Sequence, residues 1–120
     1  MKLALKLGWL LLTMGLFLSS CDKETEKLEF GTNPAGQMVF QIRNNFPQEW
    51  NIQSNCNWSF QDGASWVHLS KKSGSGDDYI VVTVDNNETG VGRSAQFRVV
   101  LTNDSGKSAV LFRTVFQHGK

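Results

Sequence analysis

Ala95-Gln96-Phe97-Arg98-Val99-Val100-Leu101-Thr102 decides the fold. Ala95, Phe97, Val99 and Leu101 fall on one side of an extended chain, with Gln96, Arg98 and Thr102 on the other. Successive side chains of a strand point to opposite faces, so this is the pattern of a strand buried on one face. The same period runs outward in both directions. Upstream, Ile80, Val82 and Val84 share a face. Trp50, Ile52 and Ser54 alternate with Asn51 and Gln53, and Met38, Phe40 and Ile42 with Val39, Gln41 and Arg43. Short runs at Trp58-Ser59-Phe60 and at 66–69 lie between them. Downstream, 109–117 loses its phase near Phe112-Arg113, where a bulge is expected. Asn44-Asn45-Phe46-Pro47, Asp62-Gly63, Ser73-Gly74-Ser75-Gly76, Asp85-Asn86-Asn87 and Asn103-Asp104-Ser105-Gly106 supply the turns. No window from Leu28 onward carries a helical apolar stripe. Seven or eight short antiparallel strands at this spacing predict an all-β chain, folded as a β-sandwich.

The N-terminus has a different grammar. Lys2 and Lys6 precede an apolar stretch at 7–18, followed by Ser19 and Ser20. That is the layout of an export signal, and the stretch is short of the roughly 20 residues a bilayer-spanning helix needs. Leu18-Ser19-Ser20-Cys21 resembles the bacterial lipobox, which implies cleavage before Cys21 and a lipid on its thiol. The expected organisation is a lipoprotein signal peptide at 1–20, a lipidated tether at 21–27 and one domain at 28–120. The tether reaches at most about 20 Å when extended. Its Asp22, Glu24 and Glu26 resemble the acidic stretch of surface-exposed lipoproteins in Bacteroidetes. An outer-membrane, lipid-anchored protein facing outward is therefore expected.

Charge narrows the partners. The chain carries 12 Lys and Arg against 11 Asp and Glu, and removing 1–20 takes away two lysines. A near-neutral mature chain without a basic cluster lacks the electrostatic footprint of a nucleic-acid binder. The chain has 2 cysteines. With Cys21 acylated, Cys56 has no partner for an intrachain disulfide and is expected as a small buried residue.

Several motifs resemble the BACON domain, whose name proposes a Bacteroidetes-associated, often N-terminal, carbohydrate-binding module. They are Ser54-Asn55-Cys56-Asn57-Trp58, Trp66-Val67-His68-Leu69-Ser70, Ser73-Gly74-Ser75-Gly76, then Val82-Thr83-Val84 with Asn87 and Arg93, and the ending Val115-Phe116-Gln117-His118-Gly119. The resemblance covers 28–119. Arg113 departs from it, standing where an apolar residue is usual, which puts the register of the last strand in question. The resemblance implies an immunoglobulin-like antiparallel β-sandwich, no catalytic activity and a carbohydrate ligand.

Trp50, Trp58 and Trp66 could form a sugar-stacking platform, but Trp50 shares its face with Ile52, and the other two belong to the fold motifs. Core packing is the expectation for all three. Phe46 differs, because it sits in a loop among Asn44, Asn45 and Gln48, where it either folds back as a plug over the sandwich end or presents its ring to a ligand. An aromatic ring packs on the C–H face of a pyranose, and amides bond its hydroxyls. Asp77-Asp78 and Asp85-Asn86-Asn87-Glu88 match no calcium loop, and turn chemistry explains them. The N-x-S/T matches at Asn57, Asn87 and Asn103 are read as turn chemistry too. His68 and His118 lie in no metal-binding spacing, and no nucleophile elbow or phosphate loop occurs. No cofactor, metal or catalysis is expected.

Connections of sequential strands alternate between the two ends of a sandwich. Counted from the Met38 strand, 44–48, 62–65 and 86–92 gather at one end, and 73–78 and 103–107 at the other. The candidate ligand site is therefore Phe46 with Asn44, Asn45, Asn86, Asn87 and Glu88. The function expected is a non-catalytic glycan-binding envelope lipoprotein, accessory to polysaccharide uptake. The alternative is a structural or protein-interaction component of an envelope complex.

Overall fold

The computed structural model describes residues 27–120; the signal segment 1–20, Cys21 and the tether through residue 26 lie outside the described residues. Nine strands form among the described residues: β1 (Phe30–Asn33), β2 (Met38–Phe40), β3 (Gln48–Ser54), β4 (Asn57–Asp62), β5 (Val67–Leu69), β6 (Ser73–Ser75), β7 (Asp78–Val84), β8 (Arg93–Thr102) and β9 (Ser108–Gln117). They make a four-stranded sheet in the order β1-β3-β7-β5 and a five-stranded sheet in the order β2-β9-β8-β4-β6. The all-β sandwich is as the alternation required.

The inward rows fill the space between the sheets. Trp50, Ile52, Ile80 and Val82 come from the first sheet, and Met38, Phe40, Trp58, Phe60, Phe97, Val99, Leu101 and Val115 from the second. Phe60 is the hub of the aromatic cluster. Its ring centroid lies 5.3 Å from that of Trp50, 5.9 Å from Trp58 edge-on, and 6.2 Å from Phe97. Offset and edge-to-face pairs of this kind add to the burial energy of the rings. Cys56 is buried in the same cluster as a free thiol.

Four details depart from the sequence expectations. First, β2 pairs with β9 in parallel, not antiparallel, with Met38 opposite Val115. It also stops at Phe40, so Ile42 lies in the following loop. Second, Phe30–Asn33 and Ser73–Ser75 are strands. Ser73-Gly74-Ser75-Gly76 had the composition of a turn. Gly74 instead lets the edge strand β6 lie against the Trp58 indole, because a Cβ there would overlap the ring. Third, β9 has no bulge. The β8–β9 register runs unbroken from Arg93 opposite Gln117 to Thr102 opposite Ser108. The phase looked lost because the inward row of β9 contains Arg113 and Gln117 while the outward row contains Val110 and Phe112. Arg113 turns in because its Nε donates to Thr32 Oγ1 at 2.7 Å and its guanidinium lies 5.7 Å from the Phe30 ring centroid. Burial lowers the Arg113 pKa from its ordinary value. Fourth, Trp66 sits in the turn before β5 and is only partly buried, packed on the core from one side. The Arg93 guanidinium covers its ring at 4.4 Å.

Candidate functional site

The predicted gathering of loops occurs. Antiparallel pairing puts the start of β3, the end of β7, the start of β8 and the end of β9 at one end of the sandwich, so the connections 41–47, 63–66 and 85–92 meet there. The opposite end holds the turns at 55–56, 76–77 and 103–107. Asn103 organises the last of these, its Oδ1 accepting from the Ser105 and Lys107 amides. Asn57 opens β4 as a strand residue and makes no turn.

A buried polar knot locks the loop-rich end. Gln117, wholly buried, donates from Nε2 to the carbonyls of Gln41, Ile42 and Asp85 at 3.0, 3.2 and 2.8 Å. Its Oε1 accepts from Arg93 Nε at 2.9 Å. Asn87, also buried, donates to the Val91 and His118 carbonyls and accepts from the Thr89 amide. Its own amide donates to the Ile42 carbonyl at 2.8 Å. Buried polar groups need such partners, and here they tie both loops to the last strand.

Against that frame the site residues separate by what their polar atoms do. Asn45 is engaged with Gln41, accepting from its amide at 2.7 Å and donating to its carbonyl at 2.9 Å. Asn87 belongs to the buried knot. Glu88 is paired with Arg43, whose Nη2 and Nε donate to the two carboxylate oxygens at 2.6 and 3.1 Å. Hydrogen bonding from Arg43 holds the Glu88 carboxyl below its ordinary pKa and raises that of Arg43. The Asn44 amide nitrogen donates to Asn86 Oδ1 at 3.0 Å. This leaves the Asn44 side chain and Asn86 Nδ2 facing solvent, and Phe46, two residues on from Asn44, is 87% exposed. A hollow of about 200 Å³ at this end is lined by Ile42, Arg43, Asn87, Glu88 and Gly90; Phe46 does not line it.

A second polar surface was not singled out by the sequence reading. The outward row of β3 is Glu49, Asn51 and Gln53, all exposed. Asn33 and Tyr79 flank Asn51 as its register partners on β1 and β7, and Gly31 stands opposite Gln53. Two open hollows of about 380 Å³ each lie here and share Gly31 and Gln53. The inward phase of Ile80, Val82 and Val84 already put Tyr79 on the outside, and that was the available signal. The outward face of the five-stranded sheet differs, with Val39, Val110 and Phe112 exposed. His68 is exposed on β5 and meets Asp85 Oδ1 at 2.9 Å. Among the described residues no three His, Cys, Asp or Glu come together as a metal site.

Comparison with known proteins bears on the fold and the family. The chain resembles part of a Bacteroides ovatus GH5 xyloglucanase in complex with a XXXG heptasaccharide, with a TM-score of 0.58 and 22% identity over 77% of this chain. It spans 19% of that enzyme's length. The ASH/PapD-like domain 7 of human CEP192 superposes with a TM-score of 0.60 at 10% identity, covering 79% of this chain and 86% of that one. Both are likenesses of fold, and the second places the sandwich with immunoglobulin-type domains. No curated protein matches the sequence. The family model described as "Putative binding domain, N-terminal" matches residues 56–117, more than half of the chain. The chain belongs to the BACON family.

Proposed function

We propose that this BACON domain is a non-catalytic glycan-binding module, carried on an outer-membrane lipoprotein that is anchored through Cys21 and faces outward, and that it serves polysaccharide uptake. The observation that carries the binding reading is Phe46. Its ring stands 87% exposed on a loop braced by the Arg43–Glu88 pair and the Asn44–Asn86 hydrogen bond. A large apolar ring held in water on a fixed frame contributes nothing to the core and is ready to cover a sugar face. The Asn44 and Asn86 amides at the same end of the sandwich offer donors for hydroxyls. The lipoprotein reading rests on Leu18-Ser19-Ser20-Cys21. The neighbouring enzyme's xyloglucan makes that polysaccharide a first probe. A glycan array with wild-type protein and Phe46→Ala tests the reading. Binding by the wild type that weakens in the variant, with thermal stability unchanged, is expected. No binding to any glycan contradicts the reading, and undiminished binding by Phe46→Ala removes Phe46 from the site.

One observation favours a second reading. Val39, Val110 and Phe112 lie exposed on the flat outward face of the five-stranded sheet. A flat apolar strip of this kind suits contact with another envelope protein. If Phe112→Glu abolishes a crosslink to an envelope protein while glycan binding persists, both readings hold, each on its own face.

A further inference from the structure

We propose that the outward face of β1, β3 and β7 is a second carbohydrate site, which takes an internal segment of a neutral polysaccharide chain. Tyr79 is its stacking ring, and Asn33, Asn51 and Gln53 are its hydrogen-bonding groups. The inference rests on the glycan-binding reading and extends it to a surface remote from the loop end. Asn45, Asn87 and Gln117 have their side chains engaged within the fold. Asn33, Asn51 and Gln53 make no side-chain hydrogen bond to any described residue. An amide carries donors and an acceptor together, which matches a sugar hydroxyl, itself both donor and acceptor.

The ring is placed to work with them. Tyr79 is 52% exposed, and across the strand pair it faces Asn51, which in turn faces Asn33. Directly opposed residues on one face of a sheet stand about 5 Å apart at Cβ. One row thus offers a π-face and two amides. Asn51 and Gln53, alternate residues of β3, lie about 7 Å apart along the strand. This places the third amide in the next row, beside Gly31.

Gly31 gives the surface its relief. A Cβ built there meets nothing within 4 Å, and both hollows include this glycine. Their volumes, about 380 Å³ each, are in the range of small-molecule sites. They adjoin along the sheet and are open to solvent, so a chain can enter at one side and leave at the other; Tyr79 lines neither hollow and stands next to them, opposite Asn51. That geometry suits an internal segment, whereas a closed pocket suits a chain end. The face carries Glu49, while Glu29 and Asp77 line one of the hollows, and no Lys or Arg stands in its outward strand rows. A polyanion would find no counter-charge here, which selects a neutral ligand.

The test uses the full chain purified in detergent, with xyloglucan, xylan, mannan and an α-glucan as probes in affinity electrophoresis. The variants are Tyr79→Ala, Asn51→Ala, Gly31→Val and Phe46→Ala. Gly31→Val fills the hollow at a position where the backbone tolerates a side chain, so it tests the site independently of removing the ring. Each of the three sheet variants is expected to weaken binding by about tenfold, as loss of one stacking or hydrogen-bonding contact does, with unchanged melting. Affinity is expected to rise with oligosaccharide length and to be insensitive to modification of the reducing end. Wild-type binding that survives all three sheet variants and falls only in Phe46→Ala overturns this inference and leaves the glycan reading intact. Absence of binding to every probe overturns both.

Discussion

Trp58 donates its indole N–H to the Gly76 carbonyl at 3.0 Å, whereas Trp50, equally buried, has no acceptor for its own among the described residues. Both rings are core, yet they respond differently to the same substitution. Trp58→Phe removes volume and a hydrogen bond. Trp50→Phe removes volume and an unsatisfied donor whose burial costs about 1–3 kcal/mol. Trp50→Phe is therefore expected to be the milder change by about 1–2 kcal/mol. Truncation to Ala is expected to cost about 3–5 kcal/mol at Trp58 and less at the half-covered Trp66. Urea unfolding of the variants checks the order, and equal losses in the two Phe variants contradict the hydrogen-bond assignment.

Gln117 bonds three loop carbonyls at once and accepts from Arg93 Nε, so Gln117→Leu removes all of these bonds, leaving the Gln41 carbonyl to Asn45, that of Ile42 to the Asn87 amide and that of Asp85 to Arg93. Each lost hydrogen bond contributes about 0.5–1.5 kcal/mol, and a loss of about 2–3 kcal/mol is expected. Hydrogen exchange should show the 41–47 and 85–92 loops opening before the β8–β9 ladder. Loss of protection spread evenly over the domain would mean that the knot does not act on the loops.

The frame of Phe46 is sensitive to acid. Hydrogen bonding from Arg43 lowers the folded-state pKa of Glu88 below its unfolded value. A depressed carboxyl contributes stability above the unfolded pKa and loses it as pH falls through the folded one. Both partners are largely exposed, so the contribution is small. The melting difference between wild type and Glu88→Gln is expected to be present near neutral pH and to vanish below the ordinary carboxylate range. Asp78, lowered by its hydrogen bond from Lys71, behaves in the same sense. A difference that persists at low pH contradicts the pairing.

Legibility in the sequence followed the range of the interactions. Ala95, Phe97, Val99 and Leu101 declare their strand, because alternation is local and their neighbours on the other face are polar. β9 could not be read in the same way. Arg113 turns inward to Thr32, a residue 81 positions away, and Gln117 to Gln41 and Asp85. The parallel β2–β9 pairing is equally non-local. The loop position of Phe46 was legible from composition, but its exposure was not, since the same sequence allows the ring to fold back over the sandwich end. Asn45 and Asn87 bond Gln41, Thr89 and Val91, two to four residues away, as turn chemistry allows, and only the His118 partner of Asn87 is brought near by the fold. Tyr79 was outward by phase, but nothing local indicates that Asn33 and Asn51 line up beside it.

Anchoring is tested at Cys21. Cys21→Ala is expected to abolish lipid labelling and to release the protein from the membrane fraction, while the wild type is cleaved by protease on intact cells. A variant that stays lipid-labelled refutes the lipobox assignment. A wild type protected on intact cells places the domain inside the envelope.

The central claim is that this sandwich holds glycans through exposed aromatic rings without transforming them. Saturation-transfer difference NMR between the protein and a panel of neutral oligosaccharides tests both halves in one sample. Saturation is expected to pass from aromatic protons to the sugar ring protons of at least one oligosaccharide, with that sugar's spectrum unchanged after prolonged incubation. No transfer to any of them, or the growth of new reducing-end signals, would contradict the claim.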